Sequence, residues 1–352
     1  EMLNKEICSP VNFALLGFRG AIQPPRLVLL DEVHTYEGLT GAQMPWIMRR
    51  WSHWIRRSQG PTSAPHFVGL SATLREAPVH LSTLTGVLES NVAEIKPDEE
   101  AGEFDSEGIE YNLALKSHAG SGASVLATSI QTVLLGARML TPSAASPCTG
   151  SEDQVEPQCF YGRKVFGFTD NLDVLNRWLK DNRDADGRKR LARLRSSDLS
   201  RDQREARVLA GQVWDFAERL GYDLNQTLRI SRTSSQDPGV DSDSDVVLAT
   251  SSLEVGYDDP DVGMVVHHKA PRSAASFLQR KGRAGRQRGT RPWTVVVLSD
   301  FGRDRWAFRD SELLFHPELS PLSLPCLNPY VMRVQATQFL LDWIGQRIPN
   351  AD

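Results

Sequence analysis

Six short apolar runs punctuate this sequence: Leu27–Leu30, Phe67–Leu70, Val165–Phe168, Val246–Ala249, Val262–Val266 and Thr294–Leu298. Runs this short, without a polar residue on every second position, suit strands covered on both faces, as in a parallel sheet. Helical patterns and polar loops separate them, which gives an α/β class with parallel sheets. In open parallel sheets ligands gather beyond the carboxyl ends of the strands. Polar signatures stand at those ends: Asp31-Glu32-Val33-His34, Ser71-Ala72-Thr73, and Ala249-Thr250 through Asp258. A further signature, Gln279-Arg280-Lys281-Gly282-Arg283-Ala284-Gly285-Arg286, precedes the last run.

The bulk properties bound the possibilities. A chain of 352 residues is long enough for about two domains with proper cores. No apolar run approaches the roughly 20 residues of a membrane span. A net charge of -4 excludes a whole-surface electrostatic footprint for nucleic acid, so any such binding is local. Two regions can supply it: Arg183–Arg207, which also suits an ordinary solvated helix face, and Arg280–Arg291, which is interrupted by glycines and carries no acid. Cys8, Cys148, Cys159 and Cys326 form no C-x-x-C pair, so free thiols in a reducing cytoplasm are expected. The opening at Glu1, with apolar residues close behind, suggests an excerpt or a cleaved product.

Residues Pro45–Arg57 read as a helix, with Ile47, Trp51, Trp54 and Ile55 on one stripe and Arg49, Arg50, Arg56 and Arg57 on the remaining surface. The tryptophans suit packing on a sheet, and base stacking is the alternative. Acidic residues cluster in Pro97–Gly108, as in a hairpin or linker. Tyr111–Leu115 is expected as the first strand of a second domain and Val125–Leu140 as its first helix. Thr141–Gln158 and Ser231–Asp245 read as polar loops.

The signatures carry chemistry when taken together. Transfer of a phosphoryl group needs a divalent metal and a positioned water. Asp31 suits the metal and Glu32 the water, although an acidic pair after four aliphatics also serves as a strand end or helix cap. Ser71 and Thr73 can hydrogen-bond a loop carrying His34, or simply cap a helix. Thr250 can hold a nucleic-acid phosphate and Asp258 can accept from a ribose hydroxyl; an ordinary loop is the alternative. Arg283 and Arg286, three residues apart and on one face if helical, can quench the charge of a phosphoryl transition state. A generic basic patch is the rival. No G-x-x-x-x-G-K-[ST] phosphate loop occurs anywhere in the 352 residues.

In this order the signatures resemble those of superfamily-2 helicases: D-E-V-H as motif II, S-A-T as motif III, Lys164–Asn171 as motif IV, Ala249–Asp258 as motif V and Q-R-K-G-R-A-G-R as motif VI. Asp31–Gly41 and Glu312–Val331 are similar to the corresponding segments of MrfA-like, Hrq-type DNA-repair helicases and of some phage-defence helicases. The resemblance implies two RecA-like domains: residues 1–96 as the later part of the first, 97–108 as an acidic linker, 109–310 as the second, and 311–352 as an extension. It implies ATP and Mg²⁺ as cofactors and nucleic acid, first of all DNA, as partner, with other subunits of a repair or defence complex possible and no membrane. It further implies Asp31 at Mg²⁺, Glu32 at the catalytic water, and His34 coupled to Ser71 and Thr73. Arg283 and Arg286 would be arginine fingers, with Gln279 and Asp258 beside the nucleotide and Thr169, Asn171 and Thr250 near the nucleic-acid backbone. The Glu254-Val255-Gly256-Tyr257-Asp258 stretch departs from the usual motif V pattern. A scaffold subunit descended from a motor is the alternative function.

Overall fold

The computed structural model describes residues 16, 23–71, 74–96, 108–117, 124–140, 161–188, 200–209, 226–235, 237, 239–253, 257–287, 289–317, 319 and 321–347. The chain divides into two compact units, Glu1–Glu103 with Leu319–Asp352, and Phe104–Glu318. The expected linker, for its greater part, and the loop Thr141–Gln158 lie outside the described residues.

In the first unit, strands β1 (Leu27–Leu30) and β2 (His66–Gly69) pair in parallel. Helices α1 (Gly38–Gly41), α2 (Met44–Gln59) and α3 (Ala77–Thr85) lie between and after them. Both apolar runs form strands as expected, but they are not closed on both faces. Leu27 is 53 % and Leu29 62 % exposed, because the described sheet has two strands and one packed side. On the covered side Leu30, Val33, Met48 and Leu84 form a core with Phe67, Leu81 and Leu324 against it.

Helix α2 runs slightly beyond the expected Pro45–Arg57. Trp54 and Ile55 are buried and Trp51 packs beside them, which favours the packing reading over base stacking. Arg50, expected on the surface, is buried at 4 % exposure. Asp342 explains it. This residue lies on the C-terminal helix, numbered α10 (Pro329–Arg347), and receives a bidentate pair from Arg50 at 3.0 and 2.7 Å. The last segment of the chain thus belongs to the core of the first unit.

The second unit holds a six-stranded sheet, all of whose neighbours are parallel. Its strands are β3 (Tyr111–Lys116), β4 (Lys164–Phe168), β5 (Ile230–Thr233), β6 (Val246–Ala249), β7 (Val262–His268) and β8 (Trp293–Leu298). The order across it is β3-β8-β7-β4-β6-β5. Strand β5 overturns the expectation of a polar loop from Ser231: Ile230-Ser231-Arg232-Thr233 is an edge strand, where polar side chains are tolerated.

Period-two alternation builds two cores from the same strands. Val246, Leu248 and Met264 face Trp178 and Leu175 of α5 (Leu172–Gly187), and Val133 and Leu134 of α4 (Val125–Ala137). Val247, Ala249 and Val265 face the other way, toward Phe166, Phe168 and Leu253. Asn171 caps α5 by accepting from the amides of Asp173 and Val174. The remaining helices are α6 (Arg201–Leu209), α7 (Ala274–Lys281), α8 (Gly302–Arg309) and α9 (Ser311–Phe315).

Candidate active site

Strand β1 ends at Leu30, and Asp31 and Glu32 follow directly. Glu32 takes a left-handed backbone conformation, φ 50° and ψ 49°, which is rare for a residue with a side chain. This conformation costs on the order of 1–3 kcal/mol and persists only where the surroundings over-determine it. They do so here. A 3₁₀ turn, Val33–Thr35, follows at once, closed by Thr35 N donating to Glu32 O at 2.8 Å and Tyr36 N to Val33 O at 3.2 Å. Val33 N donates to Leu70 O at 3.1 Å, stitching the turn to the end of β2.

The side chains are held as firmly. His34 is buried, with Nδ1 at 2.9 Å from Ser71 Oγ and 3.2 Å from Glu32 Oε2. A single proton on Nδ1 can go to Glu32 Oε2 or to Ser71 Oγ, so the imidazole stands between the carboxylate and the strand end after β2. Asp31 remains exposed, one oxygen accepting from Glu32 N at 2.9 Å. The structure therefore brings Asp31, Glu32, His34 and Ser71 together, while Thr73 lies outside the described residues. His80, not singled out from the sequence, sits beneath the turn and donates from Nε2 to Val33 O at 3.2 Å.

In the second unit Gln279 lies on α7, which ends at Lys281 with Gly282 as its cap. Arg283 and Arg286 fall beyond the helix, so the expected shared helix face is replaced by a turn. Gly285 makes that turn, with φ 74° and Pro292 so close that an added Cβ would meet its Cγ at 2.5 Å. Buried Arg283 donates to the carbonyl of Tyr257. Arg286 pairs with Asp258 at 2.9 Å and donates to Gly282 O at 3.1 Å. Asp259 anchors the same loop by accepting from Lys164 Nζ at 2.7 Å. Burial, together with that carboxylate, raises the pKa of Tyr257.

Thr169 is buried at the end of β4, its amide donating to Ala249 O and its hydroxyl accepting from Asn171 N at 3.4 Å. Asn171 is exposed and Thr250 half-buried at the neighbouring strand end. Asp170, between them, holds Arg280 of α7 and lies 3.5 Å from Arg272. Reading Lys164–Asn171 and the arginine-rich signature separately could not reveal that link. His267 stacks between Phe168 and Phe277, and burial holds its pKa well below the usual value, with Arg280 adding to the effect.

The all-parallel sheet of the second unit is a RecA-like architecture. Asp170 meets Arg280 beyond the carboxyl end of β4, whereas the Tyr257–Asp259 loop and the Arg283–Arg286 turn lie at amino ends of the strands, where Gly285 N donates to Val262 O at 3.1 Å and Lys164 holds Asp259. Residues 218–288 match the helicase conserved C-terminal domain. A putative ATP-dependent DNA helicase Q1 of Caenorhabditis briggsae is 37 % identical over 57 residues, covering 16 % of this chain and 9 % of that protein. The RecQ-like DNA helicase blm-1 of Caenorhabditis elegans is 40 % identical over 70 residues, covering 20 % and 7 %. The DUF1998 helicase MrfA, solved with DNA and AMPPNP, shares the fold with a TM-score of 0.55 at 16 % identity, over 90 % of this chain and 37 % of that one. The helicase Lhr of Mycobacterium smegmatis, solved with ssDNA and AMP-PNP, gives 0.55 at 17 % identity, over 92 % and 34 %. The chain spans under a tenth of the curated relatives and about a third of these solved structures. The matched segment is similar to that domain of helicases, and the fold is shared with the two solved helicases. Among the described residues no helix is long and apolar enough to cross a membrane.

Proposed function

We propose that this chain is the greater part of an ATP-driven motor that translocates on or unwinds nucleic acid, DNA before RNA, in the cytoplasm. The observation that carries the reading is the Asp31–His34 turn: a strained glutamate, oriented by a buried histidine, stands beside an exposed aspartate at a parallel strand end. Glu32 would orient the attacking water while Asp31 held Mg²⁺. Among the described residues no three His, Cys, Asp or Glu side chains gather as a metal site. Mg²⁺ binds through one or two carboxylates together with the phosphates of its nucleotide, and Asp31 would supply one. When bound, the ion would neutralise phosphate charge. Arg283 and Arg286 would be arginine fingers for a nucleoside triphosphate, with Gln279 and Asp258 near the nucleotide. Thr169, Asn171 and Thr250 would meet the nucleic-acid backbone, and partner subunits of a repair or defence complex are part of the same proposal.

The absent phosphate loop favours a second reading, a nucleic-acid-binding scaffold without turnover. Titration of purified Glu1–Asp352 with ATP and single-stranded DNA tests both. The motor reading expects this segment alone to bind ATP poorly and to hydrolyse essentially none, and expects turnover from a natural chain that contains both it and a G-K-[ST] loop. Absence of turnover in that longer chain, with DNA binding retained, would leave the scaffold.

A further inference from the structure

The segment that follows the second unit returns to the first and reaches the carboxylate turn from behind. Leu319 O accepts from Arg75 Nη1 at 3.3 Å. Leu324 packs against the Val33 core and against Gly41, where an added Cβ would lie 3.2 Å from its Cδ2 and 2.6 Å from the Tyr36 carbonyl carbon. Cys326 O accepts from Trp46 Nε1 at 3.1 Å. Beyond it, α10 is fastened by the Arg50–Asp342 pair and by Gln335 donating to Gln43.

Val33 is where this strap meets the turn. Its side chain is 2 % exposed, its amide is spent on Leu70, and its carbonyl accepts from both Tyr36 N and His80 Nε2. His80 itself is 4 % exposed, and its Nδ1 finds no hydrogen-bond partner among the described residues. Burial lowers its pKa, against the raising pull of the Val33 and Leu322 carbonyls, with His34 lowering it further. A neutral ring with its proton on Nε2 can donate to Val33 O, and the Leu322 carbonyl on the strap bears on the same ring. Val33 separates Glu32 from His34, so any shift of its carbonyl reorients the carboxylate on one side and the imidazole on the other.

We propose that the strap made of Leu319 and residues 321–326, acting through Leu324 and His80, is a positioning element for the Asp31–His34 turn. It holds Glu32 in its left-handed conformation and so sets the rate of ATP turnover rather than nucleotide affinity. The inference rests on the motor reading of that turn. Since Leu319 directly follows Glu318, the strap is also a covalent lead from the second unit to the carboxylates of the first.

The test compares Leu324→Ala, His80→Leu and His80→Gln, the last keeping a donor near the Nε2 position. Amide exchange in Glu1–Asp352 is read at Val33, Thr35 and Tyr36, and in the second unit at Phe166–Phe168. His80→Leu and Leu324→Ala are expected to speed exchange at the turn about tenfold, as for one buried hydrogen bond lost, with the second unit unchanged and His80→Gln restoring protection. In a longer chain that hydrolyses ATP, the same two variants should lower kcat by a similar factor and leave KM within about twofold. Unchanged turn exchange in His80→Leu, a rise shared equally by all of the first unit, or a change in KM with kcat intact would overturn the proposal. Should Leu324→Ala unfold the unit, the two His80 variants decide. The exchange arm needs no turnover, so its failure is distinguishable from failure of the motor reading.

Discussion

Replacing Glu32 by glutamine probes the chemistry of the turn with little disturbance to its fold. Glutamine keeps the volume and leaves an amide oxygen that can accept from His34 Nδ1, now 3.2 Å from the carboxylate. The left-handed backbone at φ 50° strains both residues alike, so that cost cancels. The lost charge is partly screened, since the side chain is 32 % exposed, and folding stability should change by no more than about 0.5 kcal/mol. Catalysis is a different matter. A positioned base contributes on the order of 10²–10⁴ in rate, or roughly 3–5.5 kcal/mol of barrier. The assay is DNA-stimulated ATP hydrolysis at saturating nucleotide, in a chain that contains both this segment and a phosphate loop, beside a nucleotide-binding titration and a thermal melt. The expected result is a kcat lowered at least about a hundredfold with binding and Tm retained. A kcat within about threefold of the parent, or nucleotide binding lost in step with turnover, would remove Glu32 from the chemistry.

Gly285→Ala should destabilise the second unit by roughly 2–4 kcal/mol, because a side chain at φ 74° is strained and the new methyl would meet Pro292. Gly282→Ala, whose nearest neighbour is the Leu278 carbonyl at 3.2 Å, should cost under about 1 kcal/mol; equal losses would refute the account. Asp342→Ala strands Arg50 at 4 % exposure and should cost about 3–5 kcal/mol in denaturant unfolding, most of it recovered by Arg50→Met with Asp342→Leu. A loss below about 1 kcal/mol would show that the pair is solvated. His268, with Ser129 Oγ 2.8 Å from its Nδ1, has its pKa lowered to about 4 by burial, with Lys269 adding to the shift. The unfolded state then binds the proton first. The contribution is fully present above pH 6.5 and declines toward pH 4, by about 3 kcal/mol in all. Urea unfolding between those values should show a slope that His268→Asn reduces; an unchanged slope would contradict it.

The inner strands of the second unit's sheet were legible in the sequence because they are buried on both faces, so an unbroken apolar run is the whole signal: Val246–Ala249 is the same four residues in sequence and structure. Strand β5 was hidden for the opposite reason. At the edge of the sheet Ser231 and Arg232 need not be apolar, and Ser231 even shares a hydrogen bond with Ser244 in the loop beyond. The site divides the same way. Asp31, Glu32 and His34 are adjacent in sequence and could be read from type and order. Roles that depend on contact across long separations could not: Arg50 with Asp342, Arg280 with Asp170, and His80 with Val33 each join residues whose local patterns are ordinary. The arginines lay between these cases, since their spacing was visible but the turn at Gly285 that re-aims them was not.

Among the described residues, the two units differ in how their sheets are covered. In the second unit β6 and β7 are closed on both faces. In the first, β1 and β2 are covered on the side where Leu30, Val33 and Leu84 meet the helices and the strap, while Leu27, Leu29 and Val68 stay exposed. Two parallel strands alone are marginal, so the helices and the returning strap carry the stability that places the carboxylates. The reaction proposed for those carboxylates also needs a grip on the phosphates, and the 352 residues hold no loop of the kind that supplies one. What favours the motor reading over the scaffold is the geometry that is present: a left-handed Glu32 beside exposed Asp31, with buried His34 against both Glu32 and Ser71 at the strand ends.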